Sequence, residues 1–595
     1  MEGKQKRESF RKKAGLLAHH LRPAASAFAL GIGASLAATL LRTLFTQIIR
    51  FTVDHALLGE TDGLPAFLLD APAGRILVWC AAAAATVALL EFGAGFVQDS
   101  NLPKGSERFV KSLRDALYGH IQRLPYSWHV QNPTGDIIQR CTSDVEVVRN
   151  FIAEQMVELL STTFLIAVYM IAMFAMNVKI SLFVFAFIPV IVGYSLVFYK
   201  RISKGYQKAD EAEGELSSTV QENITGVRVV RAFGRERDEL EKFQRKNNNY
   251  ANIWMKLGDM MTVFWSLGDV MSMAQVFGVI AIGVQLCVKG EITLGTYLAF
   301  VSYTRQLTWP VRALGRTLSE MSKAGVSIDR LLYILGAEPE KGPEAPAAAN
   351  LSGDIRFEHV SFAYAQKKVL DDVSFTVKGG STLGETGSGK STIALLLARL
   401  YDPGEGRITI GGVDVRDMNP SELRRGVGVV LQEPFLFSRT VAQNIAITRE
   451  NVSRDEIEQA AREACLHDAI GSFQAGYETV VGERGVTLSG GQKQRTAIAR
   501  TLLEHAPIMV FDDALSAVDA KTDEAIRGRL REAAGGSTMI LIAHRVATLM
   551  QADQIIVLRD GRIVEQGAPE ALLTQGGLFA RTARMQSAEG EEEAE

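Results

Sequence analysis

The fold of this chain is decided by one stretch, Leu-Ser-Gly-Gly-Gln-Lys-Gln-Arg at 488–495, followed by Ile-Met-Val-Phe-Asp-Asp at 508–513 and Ser-Ala-Val-Asp at 516–519. Its pattern predicts a loop, a helix, a buried strand that ends in two carboxylates, and a second polar loop. A Gly-Gly turn that opens a helix leaves backbone N–H groups free at the positive end of the helix dipole, which suits a phosphate. An apolar strand that ends in Asp512 can bring an oxygen ligand to Mg²⁺ at the edge of a parallel sheet.

A second phosphate-binding pattern lies earlier in the chain. Residues Gly384 to Ser391 read Gly-Glu-Thr-Gly-Ser-Gly-Lys-Ser and match G-x-x-x-x-G-K-[ST]. In this pattern glycines let successive backbone N–H groups curl around the β-phosphate, Lys390 reaches the β and γ oxygens, and Ser391 can ligate Mg²⁺. The residues that follow, Thr392 to Leu397, predict a helix.

Together these motifs resemble the signature motif, Walker B strand, D-loop and Walker A loop of ABC ATPases, and the resemblance covers essentially the whole chain. Tyr364 stands where the family's A-loop aromatic stacks on adenine. Gln432 matches the Q-loop glutamine that touches Mg²⁺ and links to the membrane domain. His544 matches the switch histidine, a donor to the γ-phosphate. The segment Gly482 to Gly485 matches the loop that precedes the signature in exporters.

The resemblance therefore implies a set of site residues and the cofactors ATP and Mg²⁺. It implies catalytic roles for Asp513, His544 and Gln432. It implies that Mg²⁺ is bound by Ser391, Gln432 and Asp512. It implies ATP contacts at Tyr364, Gly384, Glu385, Thr386, Gly387, Ser388, Gly389, Lys390, Ser391, Thr392, Gln432, Ser489, Gly490, Gly491, Gln492 and Asp519.

The composition narrows the class of protein. Lys plus Arg number 64 and Asp plus Glu 67, so a net charge of −3 gives no reason to expect a nucleic-acid partner. The length of 595 residues predicts two or more domains. The four cysteines, which are Cys80, Cys141, Cys287 and Cys465, lack metal-ligand spacing and predict free thiols.

Long apolar runs fill the first half of the chain. Segments of roughly 20 residues, enough to cross about 30 Å of hydrocarbon, recur at 23–49, 76–97, 156–176, 180–199, 261–288 and 294–314. They predict a membrane all-α domain of about six helices, followed by an α/β P-loop ATPase domain. Basic residues are dense between Lys200 and Lys256 and absent between Phe51 and Gly74. We therefore expect a multi-pass protein of the inner or plasma membrane, with both termini and the ATPase domain in the cytoplasm.

These patterns divide the chain into five parts. A basic, amphipathic segment at 1–22 predicts an interfacial helix, with a merely solvated basic tail as the alternative. The six-span domain covers 23–335, and a Pro- and Glu-rich linker covers 336–350. Short strands and amphipathic helices predict the nucleotide-binding domain at 351–585. The acidic end of the chain, 586–595, has a composition typical of disorder.

Two long cytoplasmic connections, Gln98–Ala153 and Lys200–Met260, are predicted to extend the spans beyond the bilayer as helices. Midway in each lie turn residues beside a short helix, at 131–136 and 224–236. These segments resemble the coupling-helix loops of ABC exporters, which dock on the ATPase domain. An ordinary helix–helix turn is the alternative.

Four ionisable residues lie within the predicted spans, namely Arg42, Glu91, Asp269 and Arg305. Such residues are costly in a membrane and usually face the bundle interior or water. Three aromatic residues lie nearby in sequence, namely Trp265, Tyr303 and Trp309. The pattern therefore predicts a polar and aromatic translocation cavity. The alternative is that Glu91 or Asp269 pairs with Arg305 and only braces the bundle.

Two positions depart from the family pattern. Only Ser381-Thr382-Leu383 separates Gly380 from Gly384, about three residues fewer than usual, whereas a central strand needs roughly 5–6 residues. We therefore expect this strand to borrow from Val377–Gly379 or to be truncated, and the phosphate loop to be displaced or weakened.

The second departure is Asp513, which replaces the glutamate that polarises the attacking water in the family. Aspartate is one methylene shorter, and a misplacement of about 1 Å can cost on the order of 10²-fold in rate. We expect Asp513→Glu to raise turnover if this side chain limits it. No change would indicate that the short strand is the defect.

ABC sites form between two ATPase domains, so a chain with one such domain must dimerise. This chain resembles the half of heterodimeric multidrug-type exporters whose Walker B motif is degenerate while its signature stays intact. The resemblance implies ATP-driven export of a hydrophobic or amphipathic substrate, in the lipid bilayer, with a second half-transporter that carries glutamate after Walker B. A homodimeric lipid or peptide exporter and an ATP-gated channel or regulator on the same scaffold remain open.

Overall fold

The computed structural model describes residues 13, 15–60, 71–365, 367–387, 389–482, 488–515, 518, 520–533 and 535–592. The chain divides into two compact units. The first comprises Met1–Leu124 and Asn132–Glu338, and the second comprises Pro125–Gln131 and Pro339–Glu595. The division after Glu338 lies within the stretch that the sequence assigns to a linker.

The first unit consists of helices. The α-helices up to the end of this unit are α1 Ala25–Phe51, α2 Ala73–Ile121, α3 Tyr126–Gln131 (which belongs to the second unit), α4 Thr134–Gln139, α5 Val145–Asn150, α6 Met156–Met176, α7 Val178–Thr225, α8 Val227–Ala232, α9 Glu236–Val288 and α10 Leu294–Leu335. A 3-10 turn covers Arg22–Ala24, and short π-helical segments cover Thr52–Leu57, Arg140–Asp144 and Phe151–Gln155. The core is a cluster of fully buried side chains that includes Tyr169, Phe300 and Tyr303.

By length and composition, five helical runs within the described residues could cross a membrane. They are Gly15–Leu57, Ala73–Ile121, Thr134–Met176, Val178–Thr225 and Glu236–Val288. The last predicted span, 294–314, lies on α10, which is long enough but is interrupted by polar residues such as Arg305 and Gln306. That sixth crossing stays a prediction.

Local hydrogen bonds explain where several of these helices begin. The Asn177 side chain accepts hydrogen bonds from the N–H groups of Lys179 (3.0 Å) and Ile180 (3.3 Å), which caps α7. The Thr293 hydroxyl caps α10 by accepting from the Thr296 N–H at 3.1 Å. The buried carboxylate of Asp54 accepts from the Gly295 N–H at 2.7 Å, so a distant part of the chain also satisfies the start of α10.

The second unit is an α/β domain with two sheets. Its strands are β1 Ile355–Tyr364, β2 Lys367–Val377, β3 Thr382–Gly387, β4 Glu405–Ile410, β5 Val413–Asp414, β6 Val427–Val430, β7 Ile508–Asp512, β8 Thr538–Ile542, β9 Gln554–Arg559 and β10 Arg562–Gly567. A four-stranded antiparallel sheet has the order β2-β1-β4-β5. A six-stranded sheet has the order β10-β9-β3-β8-β7-β6 and is parallel except for β10.

Helices cover the six-stranded sheet on both faces. They are α11 Lys390–Leu397, α12 Pro420–Gly426, α13 Val441–Ile445, α14 Arg454–Glu463, α15 His467–Gly471, α16 Gly490–Glu504, α17 Ala520–Ala533, α18 Val546–Leu549, α19 Pro569–Thr574 and α20 Leu578–Glu592. Short 3-10 turns cover Val415–Asp417, Ala446–Thr448 and Gly476–Glu478. One core cluster packs α11 against β7 and β8, and another packs α16 and α17 against the opposite face.

Strand β3 differs from both forms that the sequence predicts. It neither borrows from Val377–Gly379 nor stops short, because β2 ends at Val377 and β3 runs from Thr382 to Gly387. The missing length is recovered at the other end, where Gly384 to Gly387 of the predicted phosphate loop continue the strand. Strands most often have about 5–6 residues, and the nearest residues available to reach that length are those of the loop.

The acidic end of the second unit also differs from the sequence prediction. The acidic end, predicted to be disordered from residue 586, is helical to Glu592, because α20 is anchored by the buried Phe579 and Ala580 and then propagates. At the other end of this unit, hydrogen bonds attach the predicted linker to the domain that follows it. Glu340 pairs with Arg424 through oxygen–nitrogen distances of 2.8 and 2.5 Å, and the Ala347 N–H donates to the Asp417 carbonyl at 2.8 Å.

Candidate functional site

Two of the predicted catalytic residues meet at the end of strand β7. All five residues of β7 are buried, and Asp512 is the last of them. Asp513 follows with a positive φ of 46°, a conformation that aspartate tolerates better than most residues. Its N–H donates to the Ile542 carbonyl at 2.8 Å, and its Oδ2 accepts from Gln432 Nε2 at 3.4 Å. The structure therefore joins Gln432 to Asp513 directly.

The predicted switch histidine lies at the end of the neighbouring strand. His544 is exposed and follows β8 by two residues. Its carbonyl accepts a hydrogen bond from Gln586 Nε2 at 2.8 Å, while Gln586 Oε1 accepts from the Val546 N–H at 2.9 Å. Helix α20 thus positions the histidine loop, a role that no local sequence signal assigns to Gln586.

The predicted adenine-stacking residue lies at the end of β1. The Tyr364 hydroxyl is 3.4 Å from the Thr392 hydroxyl in the first turn of α11. The ring of Tyr364 meets that of Tyr401 edge-on, with 5.3 Å between the centroids. Burial raises the pKa of Tyr401, and the neighbouring Tyr364 and Tyr126 add to this effect. The sequence did not identify Tyr401.

The signature motif has the geometry that the sequence predicts. Ser489 is the N-cap of α16 and forms a capping box with Gln492. The Gln492 N–H donates to Ser489 Oγ at 3.3 Å, and the Ser489 N–H donates to Gln492 Oε1 at 2.9 Å. Ser489 and Gly490 are exposed. The helix N-terminus therefore faces solvent, where the N–H groups and the helix dipole favour an anion.

A partly buried arginine joins the signature helix to the Q-loop. Arg500 of α16 donates from Nε to the Asn444 carbonyl at 2.9 Å and from Nη1 to the Phe435 carbonyl at 3.2 Å. Burial lowers the pKa of Arg500 from its usual range. Gln494 Nε2, on the same helix, lies 3.5 Å from the Gln432 carbonyl. Neither residue is among the predicted ATP contacts, although Gln494 lies within the quoted stretch 488–495.

The phosphate loop is the part of the site that the structure does not form as predicted. Gly384, Glu385, Thr386 and Gly387 pair with β9, and the first two also pair with β8. Gly389 follows with φ 99°, and α11 begins at Lys390 with Ser391 exposed in its first turn. The amides of Gly384 and Glu385 are committed to two sheet ladders, and Thr386 and Gly387 are held extended along β9, so this segment does not curl around a phosphate. These residues therefore do not fit the nucleotide phosphates, nor the Mg²⁺ that such phosphates help to hold.

Several predicted site residues lie outside what the structure describes. Ser388 and Asp519 lie outside the described residues, as does the segment Glu483 to Gly485. The side chains of Glu385 and Lys390 are not described either.

In the first unit, the predicted membrane charges pair differently from the prediction. Arg42 Nη2 lies 2.9 Å from Glu91 Oε1, and Asp269 Oδ1 lies 2.8 Å from Arg312 Nη1. Arg305 is exposed and has no ion pair or hydrogen bond to another described residue. The predicted alternative, in which Glu91 or Asp269 pairs with Arg305, is therefore wrong. The sequence did not identify Arg312.

The second unit contains a short segment that the sequence places between two helices of the first. Pro125–Gln131 packs with the second unit, and the ring of Tyr126 meets that of Tyr401 edge-on at 5.5 Å. The predicted coupling segment, 131–136, begins at the end of this helix. The part of this connection that packs with the second unit therefore ends at Gln131, the first residue of the predicted coupling segment.

Comparison with known proteins gives two family matches. The family model described as "ABC transporter transmembrane region" matches residues 26–311. The model described as "ABC transporter" matches residues 370–516. The two matches correspond to the helical unit and to the α/β unit.

Individual relatives match over nearly the full chain. The uncharacterized ABC transporter ATP-binding protein YknU of Bacillus subtilis (strain 168) is 34% identical, over 92% of this chain and 93% of its own. The ATP-dependent lipid A-core flippase of Syntrophus aciditrophicus (strain SB) is 30% identical, over 98% and 96%. The probable multidrug resistance ABC transporter ATP-binding/permease protein YheI of Bacillus subtilis (strain 168) is 35% identical, over 80% and 82%.

A solved structure shares the architecture. The structure of a bacterial Atm1-family ABC exporter with ATP bound has a TM-score of 0.79 and 27% sequence identity. The match covers 95% of this chain and 99% of the chain of that exporter.

Proposed function

Since this chain belongs to the ABC transporter family, with the membrane domain and the ATPase domain of an exporter joined in one multi-pass protein, we propose that it is one half of a heterodimeric exporter. ATP hydrolysis is coupled to transport in this family. The partner half would carry glutamate after its Walker B strand. The transported molecule would be amphipathic.

The observation that carries this proposal is the contrast between two parts of the ATPase domain. The signature helix α16 presents an exposed, capped N-terminus, as needed to contact a nucleotide held by another subunit. The residue after β7 is aspartate, whose shorter side chain suits the catalytic water position poorly. A subunit that keeps its signature and loses its base can complete a partner's site while contributing little hydrolysis of its own.

Hydrolysis drives transport through a change of conformation. ATP binding closes two ATPase domains, and hydrolysis with product release reopens them. Because nucleotide binds one conformation better, it shifts the equilibrium between inward-open and outward-open membrane domains. We assign the coupling role to α3, with Tyr126, and to α8, whose neighbours Ile224 and Phe233 are 70% and 76% exposed.

An amphipathic substrate is supported by one exposed face of α10. Arg305 lies 11 residues into this helix, so it lies about 16 Å from the helix start, near the middle of the bilayer. Trp309, one turn further, is 62% exposed. An unpaired guanidinium at this depth is too costly to face lipid. We therefore place Arg305 and Trp309 in the translocation cavity. A lipid flippase and a probable multidrug transporter among the relatives agree with an amphipathic cargo.

The test is co-purification followed by transport. We expect the tagged chain to co-purify with a second half-transporter that has glutamate after Walker B. In inside-out vesicles, the pair should accumulate a fluorescent amphipathic dye against its gradient when ATP is supplied. The chain purified alone should hydrolyse ATP at background rate. Full activity from the chain alone would overturn the heterodimer, and dye that equilibrates without accumulating would indicate an ATP-gated channel.

A further inference from the structure

We propose that this chain's own Walker site holds no nucleotide, so that the exporter binds a single ATP, between the partner's Walker motifs and the signature of this chain. This inference rests on the proposed heterodimer and goes beyond it. If a poor catalytic base were the only defect, the exporter would bind two nucleotides and hydrolyse one of them slowly. The structure of β3 points instead to one bound nucleotide.

The first argument is the use of the backbone amides. A phosphate loop works because its N–H groups are free to point at the phosphate oxygens. Here Gly384 pairs with Leu541 on one side and Ile555 on the other, and Gly387 pairs with Leu558. Strand β3 lies between β8 and β9 in the sheet, so the N–H groups of Gly384 and Glu385, which have a paired strand on both sides, are used by ladder hydrogen bonds, and the residues up to Gly387 stay extended along β9.

The second argument is the length of chain that remains. Strand β3 ends at Gly387 and helix α11 begins at Lys390. Only residues 388 and 389 lie between them, whereas the motif G-x-x-x-x-G supplies about six residues to curl around a phosphate. The motif therefore keeps its residue types, but the chain between β3 and α11 is too short to curl around a phosphate.

The third argument is that the strand cannot slide to return these residues to the loop. Its start is held on both sides. The Gly380 N–H donates to Thr538 Oγ1 at 3.0 Å, and the Met539 N–H donates to the Ser381 carbonyl at 3.0 Å. The Thr382 N–H donates to Asp553 Oδ2 at 2.8 Å, and the Asp553 N–H donates back to the Thr382 carbonyl at 2.9 Å.

Side-chain packing also opposes a shift of β3 along its neighbouring strands. Leu383 is 1% exposed and belongs to the core cluster that includes α11. A shift of three residues would turn this side chain to the opposite face, because side chains alternate along a strand. Gly384 is also closely surrounded, since a Cβ there would lie 3.1 Å from Leu549 Cδ2 and 3.2 Å from Ala552 Cβ. Binding of ATP would have to break these contacts before it gained any of its own.

The test counts nucleotides on the intact heterodimer. The partner's Walker B glutamate is changed to glutamine to trap ATP, and bound radiolabelled ATP is measured per complex at saturation. We expect one ATP per heterodimer. Two would overturn the inference. Photo-crosslinking with an azido-ATP should label the partner, and label within residues 364–400 of this chain would also overturn it.

An insertion in β3 tests whether a longer strand restores nucleotide binding to this chain. Adding Val-Ala-Leu after Leu383 lengthens β3 by about the missing three residues and should raise the count to two. The matched control is the same insertion between Gly411 and Gly412, an exposed turn of the other sheet with φ values of 58° and 86°, where the count should stay at one. A count that stays at one with the longer β3 would overturn the structural cause.

The outcomes separate this inference from the proposed function. A complex that accumulates the dye while holding two nucleotides overturns the single-nucleotide inference and leaves the exporter intact. A complex that holds one nucleotide but moves no dye supports the inference and overturns the export proposal.

Discussion

The guanidinium of Arg312 lies against Gly268, where a side chain would require the arginine to shift. A Cβ on Gly268 would stand 3.1 Å from Arg312 Cζ. The same guanidinium donates to Asp269 Oδ1 and to Ser272 Oγ, both at 2.8 Å, and lies over the Trp265 ring at 5.7 Å from its centroid. Arg312 is 5% exposed. It is therefore a bracing charge between α9 and α10, whereas Arg305 on α10 has no such partner among the described residues.

This difference predicts opposite outcomes for two arginine substitutions on one helix. Arg312→Met removes two charge-assisted hydrogen bonds, so we expect it to destabilise the membrane domain by about 2 kcal/mol. Arg305→Met breaks no hydrogen bond or ion pair within the described residues, so its effect on stability should stay within about 0.5 kcal/mol. Thermal unfolding of the detergent-solubilised protein measures both changes.

The two arginine substitutions should also differ in their effect on transport. Arg305→Met is expected to change the ratio of anionic to cationic dye that the vesicles accumulate, because it removes a charge from the proposed cavity. Arg312→Met is expected to lower both in parallel. Equal ratios in the two variants would contradict a role for Arg305 in the cavity.

At the scale of elements, three helices of the ATPase domain begin with a capping box, and in two of them the N-cap is serine. Helix α16 begins with Ser489 and Gln492, and α14 begins with Ser453 and Glu456, each pair forming a capping box. The backbone and side-chain hydrogen bonds from Ser453 hold the pKa of Glu456 below its usual value. The two caps are equivalent for helix stability, so they allow the function of the signature to be separated from its folding.

We therefore expect Ser489→Ala and Ser453→Ala to differ in activity but not in stability. Each removes one N-cap and should cost about 1 kcal/mol of stability. Ser489→Ala also removes a donor to the partner's nucleotide, so the ATPase rate of the heterodimer should fall on the order of tenfold. Ser453→Ala should leave that rate unchanged. Equal rates in both variants would mean that the signature does not contact nucleotide.

At the scale of the whole molecule, transport depends on passing a change in the ATPase domain to the membrane helices. The segment around α8 joins two long helices, α7 and α9, and its apolar side chains are exposed. An exposed apolar tip on a cytoplasmic extension is typical of an interaction site. Val229 and Phe233 are the side chains that we expect to make this contact.

Phe233→Ala should therefore uncouple hydrolysis from transport. We expect ATP-driven dye accumulation to fall while the fold and the basal ATPase rate persist, because a 76% exposed side chain adds little to stability. Leu240→Ala, in the first turns of α9 and 54% exposed, is the matched control and should transport normally. Loss of transport in both variants, or in neither, would argue against a coupling role for this segment.

Much of the fold could be predicted because its signals are local. Apolar runs of membrane length depend only on neighbouring residues in the chain. The same holds for the signature turn at Ser489 and the buried strand that ends in Asp512, both of which the structure contains. The family resemblance, which the comparisons confirm, extended these signals to Gln432, which lies beside Asp513.

The sequence by itself determined the order of the two domains, the family and the identity of the motifs, because each is written in contiguous residues. Only the tertiary structure decided what those residues do. Asp269 forms an ion pair with Arg312 rather than Arg305 because of how α9 and α10 pack. Gly384 to Gly387 became strand because β8, β9, Thr538 and Asp553 hold the register of β3 from distant parts of the chain. A phosphate loop needs free backbone amides as well as the residue types of the motif, and non-local strand pairing determines whether those amides are free.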